Sequence, residues 1–430
     1  MQRRRPVAWA LLALAAFASI ADDRFAQGVA AHPAEALAPA VQRDAWGGLD
    51  DSQARLLEIG YRAVSSMPLE PHVKNRSRGQ ESIVLACFEL DAPELALGYA
   101  EGIENWRRGA AYADHALHLA LNGGDPVRVQ ASLARAEEIA AWPLSEFRQA
   151  WRRERILSKI GQVRVVLREQ AEEAEDGPVG LKVVNEETAR VRVAEAMAVV
   201  DEDQREALLT DLETRLANGH GDVAPMTTFA SALMVLHGRA YGDDTVRQRI
   251  EGSIQGSLPN MPRSLGIQLL AELASNCVEN DDFDSALVFL DEAQGMLDEV
   301  SWAPEDRIKL QASLAAERAR AGDLERALEQ TKGALARFAR DRNEIVDIWR
   351  ADALVPVAEA YLAIGGTEGE RLAVSVYQRA LRESLTNQNP WPRSEDLAGI
   401  CISLAKNGVE PDERLWRQLV QALESIQGAW

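Results

Sequence analysis

Residues 320–338, RAGDLERALEQTKGALARF, and residues 279–297, ENDDFDSALVFLDEAQGML, spell one pattern twice, 41 positions apart. At that offset Ile267, Leu269, Ala271, Leu273, Ala274, Asp282, Ala286, Leu287 and Ala293 fall on Ile308, Leu310, Ala312, Leu314, Ala315, Asp323, Ala327, Leu328 and Ala334. All nine pairs are identities, a coincidence that chance seldom supplies in one register. Phe283, Ala286, Leu287, Leu290 and Ala293 follow the i, i+3, i+4, i+7 rule of an amphipathic helix, as do Leu324, Ala327, Leu328, Thr331 and Ala334.

Each copy therefore predicts a hairpin of two antiparallel helices. Small residues in the stripe, Ala274 and Ala315 on the first helix with Ala286 and Ala327 on the second, let two backbones approach closely. The Asp before the second helix accepts from its free N–H groups and complements its dipole, restarting the chain after a short turn. One hairpin cannot bury its own stripe, so it needs a neighbour on each side.

The punctuation extends both ways. Turn signals occur at NGGD (122–125), IGQ (160–162), DED (201–203), YGDD (241–244), NDD (280–282), AGD (321–323), IGGTEGE (364–370) and NGVEPDE (407–413), about 40 residues apart. After the 364 turn, Ala373, Val374, Tyr377, Ala380 and Leu381 restore the stripe. The pattern predicts an all-α chain, a right-handed α-solenoid of about eight or nine antiparallel helical hairpins with capping units at the ends. Composition agrees: 47% apolar and 27% charged residues with few aromatics suit a folded helical chain better than a sheet. The expected division is an N-terminal helical-hairpin array over 51–263 continuous with C-terminal repeats over 264–430. Short Val alternations in QVRVVLREQ, GLKVVNEE and ARVRVAEA leave a strand pair open within 161–200, against helix.

The units at 264–297, 305–338 and 351–385 resemble tetratricopeptide repeats: Leu314, Ala315, Gly322, Asp323, Ala327 and Ala334 stand where that pattern wants Leu, a small residue, Gly-Asp, Ala and Ala. The spacing is nearer 40 than that family's 34, and Arg318 and Cys277 stand in place of its usual Tyr. The resemblance implies a groove lined by the first helices, its side chains including Gln268, Ser275, Glu279, Lys309, Arg320, Asp352 and Glu359, whose mixed polarity suits a polar ligand.

The opening stretch MQRRRPVAWALLALAAFASIADD has Arg3, Arg4 and Arg5, an acid-free apolar run from Pro6 to Ile20, and Ser19-Ile20-Ala21 before Asp22. It reads as a signal peptide over 1–21, with an uncleaved membrane anchor or an Arg-rich transit peptide as alternatives. Residues 22–50, rich in Ala, Pro and Gly, read as a flexible linker. Cleavage removes three arginines and no acid, taking the net charge from −20 to −23. Such a field repels nucleic acid and favours basic partners. Cys87, Cys277 and Cys401, odd in number and far apart in helical stretches, read as buried core residues.

Little in the sequence names a chemistry. His115 and His118 share one helix face, half of a metal site at most, and packing is the simpler reading. The segment 147–168 is strongly basic. With Arg107, Arg108, Arg152, Arg153 and Arg155 it forms a cationic island able to dock a carboxylate or phosphate. Residues 405–423 resemble one pentatricopeptide unit, but an RNA-reading array reiterates its unit and this one occurs once; it reads as the start of a terminal helix. No GxSxG, HExxH, P-loop or CxxC is present. The expectation is a non-catalytic protein–protein interaction scaffold of the periplasm or cell exterior, without cofactor, binding a peptide or protein on its concave face. Nucleic acid is not an expected partner, and no membrane span is expected in the mature chain. The alternative is an enzyme built on an α-solenoid and acting on cell-wall glycan.

Overall fold

The computed structural model describes residues 48–170, 202–218 and 223–430, and these are all-α: no strand occurs among them. The signal peptide, most of the linker, and the 171–200 part of the strand-pair question lie outside the described residues. The helices, in chain order, are α1 (Asp51–Ser65), α2 (Leu69–Glu89), α3 (Pro93–Glu101), α4 (Arg107–Leu121), α5 (Pro126–Ala140), α6 (Leu144–Phe147), α7 (Ala150–Gln170), α8 (Glu202–Asn218) and α9 (Val223–Arg239). They continue with α10 (Asp244–Ser257), α11 (Arg263–Glu279), α12 (Phe283–Asp298), α13 (Pro304–Arg320), α14 (Leu324–Asp341), α15 (Asp347–Arg350), α16 (Val355–Ile364), α17 (Gly366–Leu385), α18 (Pro390–Lys406) and α19 (Glu413–Gln427).

One turn recurs between the two helices of a hairpin. In the opening pair, a left-handed residue, Asp281 (φ 62°) or Gly322 (φ 89°), ends the first helix. The next N–H then reaches back to the carbonyl five residues earlier, Asp282 N to Cys277 O at 2.9 Å and Asp323 N to Arg318 O at 3.1 Å. The same Asp turns its carboxylate onto the second helix: Asp282 Oδ1 accepts from Ser285 N at 3.1 Å and Asp323 Oδ1 from Arg326 N at 3.4 Å. Asp91, Gly123 and Gly408 end α2, α4 and α18 in the same left-handed conformation, with the same backward hydrogen bond from Ala92, Gly124 and Val409. The backward closure is thus shared by all of these hairpins; a side-chain N-cap accompanies it in all but the one at Asp91, where Ala92 and Pro93 start the second helix.

One turn expectation fails. IGQ at 160–162 does not separate elements: α7 runs through it with Ile160 and Val163 buried. DED at 201–203 stands at the start of α8, and what precedes it lies outside the described residues. A lone Gly without a following cap does not end a helix whose apolar face continues past it.

By its contacts the chain forms two compact units, Leu69–Arg239 with the residues up to Leu49, and Asp50–Pro68 with Ala240–Trp430. The boundary near 240 differs from the one expected at 263/264. In the second unit, α11 packs on α12, α13 on α14, α16 on α17 and α18 on α19, while α11, α13, α16 and α18 also pack on one another in order. That is the neighbour-to-neighbour stacking of a helical repeat solenoid. Polar links recur one repeat apart: Tyr241 OH donates to Asp282 at 2.8 Å, and Arg342 to Glu383 through Nε and Nη2 at 2.7–3.0 Å. Arg318, a departure from the tetratricopeptide pattern, is buried and reaches Asp291 at 2.6 Å and Asp323 at 3.1 Å, tying its hairpin to the one before.

The stack ends unexpectedly. The next first helix after α18 is α1, from the other end of this unit's sequence, which packs on α18 and α19. Asp50 and Gln53 form a capping box at its start, Gln53 Nε2 donates to Ala405 O at 3.0 Å, and Arg55 lies 4.5 Å over the Trp416 ring. Leu56, Leu57 and Val64 are fully buried. The first unit follows the same hairpin logic, with α2 on α3, α4 on α5, α4 and α5 on α7, and α8 on α9. Gly109 of α4 is required there, because a Cβ would lie 2.8 Å from Ile139 Cγ2 and 2.9 Å from Ile156 Cδ1. Cys87, Cys277 and Cys401 are buried free thiols, as the sequence predicts.

Leu57→Ala is expected to cost about 2–5 kcal/mol. In amide-exchange mass spectrometry the lost protection should appear in α18 and α19, 340 residues away in sequence, and leave α2–α7 unchanged. Lost protection confined to α2–α7 would refute the placement of α1.

Candidate functional site

Two sets of residues were singled out by sequence, and the structure treats them differently. In the second unit the first helices carry equivalent positions one repeat apart. Gln268 on α11, Lys309 on α13 and Asp352 ahead of α16 form one row. Lys309 Nζ sits 2.9 Å from Asp352 Oδ2 and 3.9 Å from Asp306 Oδ1, and lies 5.7 Å above the ring of Trp349, which is 39% exposed. Gln268 is exposed in the same row. Ser275 and Glu359 belong to a second row, where Glu359 accepts from Ser403 Oγ at 2.6 Å and Ser403 in turn meets Tyr377 OH at 2.8 Å. Glu279 and Arg320 are exposed at the ends of α11 and α13, and Arg320 pairs with Glu317.

The sequence reading missed Glu317, Trp349, Asp396 and Ser403. The register would have found two of them: Asp396 stands 44 residues after Asp352, and Ser403 44 after Glu359. Burial holds the Glu317 carboxyl above its usual range, against the pull of Arg320, with Glu279 pushing it further. Burial also raises Glu359, opposed by the Ser403 hydroxyl, and raises Asp396 well above normal, opposed by Ser384. Asp352 adds its charge to both. This face therefore carries a graded set of carboxylates, some open to solvent and others reluctant to ionise.

In the first unit the cationic island comes apart. Arg107 is buried and pairs with Glu81 of α2, and Arg155 Nη2 lies 3.0 Å from the other oxygen of Glu81. Beside them Lys159 pairs with Asp114, both buried. Arg107 is a core residue, and Arg155 is half-buried with its guanidinium held by Glu81. Burial alone would raise Glu81, but Arg107, Arg155 and Lys159 outweigh it and hold the carboxyl below its usual value. For Asp114 burial wins over Lys159 and raises it, and burial likewise lowers Lys159 despite Asp114. Arg108, Arg152 and Arg153 stay half-exposed: Arg108 lies 5.9 Å over Trp142, Arg152 5.4 Å over Trp151, and Arg153 Nε donates to Ala140 O at 2.8 Å.

His115 and His118 are packing residues. The first meets Ser132 Oγ through Nδ1 at 2.7 Å, the second Asp91 through Nε2 at 3.2 Å, and both rings lie against Phe88. Burial lowers His115 to about 4, with Glu94 opposing and Arg128, His118 and Arg135 reinforcing the shift.

Neither a family model nor a curated protein matches this sequence. Among solved structures, a circular tandem repeat protein with novel repeat topology and enhanced subunit contact surfaces is similar at 15% identity, over 88% of this chain and 95% of its own, with a TM-score of 0.24. The helical-repeat fold rests on the helices and turns described above. No helix among the described residues is long and apolar enough to cross a membrane.

Two outcomes follow from the electrostatics. Lys159→Met, which leaves Asp114 buried without its partner, should cost about 3–5 kcal/mol in urea unfolding, and adding Asp114→Leu should restore most of it. His115 binds a proton near pH 6.5 when unfolded but only near 4 when folded, so its contribution is complete above pH 6.5 and is lost as pH falls towards 4. Amide exchange corrected for intrinsic rates should show α4 losing roughly 2–4 kcal/mol across that window. Raised Glu317, Glu359 and Asp396 have the opposite sign, so α13, α16 and α18 should gain protection as pH falls through their folded pKa values.

Proposed function

We propose that this chain is a non-catalytic protein–protein interaction scaffold of the periplasm or cell exterior, binding a polar peptide or protein segment along the first-helix face of a tetratricopeptide-like array in its second unit. The observation that carries the reading is the row Gln268, Lys309, Asp352: equivalent positions on successive repeats, with Gln268 and Asp352 exposed and Lys309 half-buried, its pair with Asp352 beside an exposed Trp349. Polar groups distributed one per hairpin suit an extended partner, because each repeat can contact the next few residues of it. Arg320 and Glu279 extend that face along the helix axes. The export part of the proposal rests on the leader-like residues 1–21. The tetratricopeptide identity rests on Gly322-Asp323, Ala327 and Ala334 and on the hairpin turn they build.

The test is affinity capture from periplasmic extract with mass spectrometry, comparing the mature chain with Gln268→Ala/Arg320→Ala/Asp352→Asn. A partner held by the parent and weakened about tenfold or more in the variant, with helicity and melting unchanged, is the expected result; hot-spot losses of about 1–2 kcal/mol per residue amount to at least that. A partner retained undiminished would move the site off this face.

A further inference from the structure

The residues of the cationic island that are not consumed by Glu81 remain together where α4, α5, α6 and α7 meet. Trp106 is buried at the base of this region, with Trp151 edge-on to it at 5.4 Å and the guanidinium of Arg152 5.9 Å over it. Arg108 stands over Trp142 at the end of α5. Between them the short α6 exposes Leu144 to 60% and ends in Arg148, exposed and left-handed at φ 59°. That conformation disfavours a side chain by roughly 1–2 kcal/mol. Arg108 and Arg148 have no carboxylate partner among the described residues, in a chain with 67 acids against 47 bases.

We infer that this tryptophan–arginine surface of the first unit is a second docking site, for an acidic segment of another protein. It is independent of the proposed first-helix face. Trp and Arg are the residues most enriched at interface hot spots, where an indole supplies apolar area and a guanidinium takes a carboxylate in two parallel hydrogen bonds. Arg108 and Arg148 are the charges available for that pairing, Trp142, Leu144 and Trp151 supply apolar contact, and the exposed Glu146 of α6 is the acid among them. A densely charged polyanion is a poorer fit, because the net charge of −20 repels it at long range. A protein segment mixing Glu or Asp with Leu suffers less repulsion and uses the indoles.

The test uses the mature chain and a short fluorescein-labelled peptide of Glu, Asp and Leu, read by fluorescence anisotropy, with a Lys-for-acid peptide as the charge control. Saturable binding of the acidic peptide, weakened by added salt, is expected. Arg108→Glu/Arg148→Glu should weaken it tenfold or more. Trp142→Ala should weaken it severalfold, and Arg414→Glu/Arg417→Glu in the second unit should leave it unchanged. Circular dichroism of each variant confirms that the fold is kept; should Trp142→Ala unfold, the arginine pair decides alone. No binding up to millimolar peptide, equal binding by the arginine variant, or binding of polygalacturonate in place of the peptide overturns the inference. None of these results depends on capture by the first-helix face, so either proposal can fail alone.

Discussion

Five of the hairpins among the described residues depend on one backbone closure. A left-handed residue at the end of a first helix lets the next N–H reach back five positions, and the chain emerges aimed antiparallel to the helix it has left. At Gly322 the conformation is free of steric cost, whereas at Asp91 and Asp281 a short polar side chain tolerates it. In the opening pair the residue after the closure is an Asp that caps the second helix, so helix end and helix start are specified within two or three residues. Where that hinge is repeated 41 residues apart, at Asp281 and Gly322, each hairpin presents the same apolar face to the next, and stacking follows.

The two units bury charge in different ways. The second unit keeps its ion pairs at the seams between repeats, with Arg318 spanning to Asp291 and Arg342 to Glu383. There they align one hairpin against its neighbour. The first unit draws Glu81, Arg107, Asp114, Arg155 and Lys159 into the space between α2, α4 and α7. Desolvating five such groups is repaid only while every partner is present, which makes the arrangement specific more than strong. It also changes what the arginine-rich segment means. Helix α7 carries its cations in different settings: Lys159 is buried against Asp114, Arg155 is half-buried against Glu81, and Arg152 and Arg153 are half-exposed.

The proposed binding faces inherit these differences. On the second unit, the open side chains of the first helices are left over after stacking, and their acids are graded by burial. On the first, the surface is left over after Glu81 has taken Arg107 and Arg155, and it combines indoles with the guanidiniums of Arg108 and Arg148. One chain thus offers an acid-rich face and a cationic, aromatic one, each a by-product of how its own unit packs.

The hairpin, its turn and its helical class were legible in the sequence because they are local: the apolar period, Gly-Asp punctuation and capping Asp all act within about six residues. The nine identities at an offset of 41 made repetition visible, and the equivalence of Gln268 and Lys309 followed from it; Asp352 stands 43 residues further on. Asp396 and Ser403 were within reach of the same register and were missed where the spacing lengthens to 44. Tertiary structure alone decided the rest. That Arg107 is interior and Arg155 is held beside it depends on Glu81, which is distant in sequence and carries no periodic signal. That α1 completes the stack beside α18 depends on which apolar face meets which across 340 residues, and amphipathic helices of one chain are too alike in pattern for the sequence to choose between them.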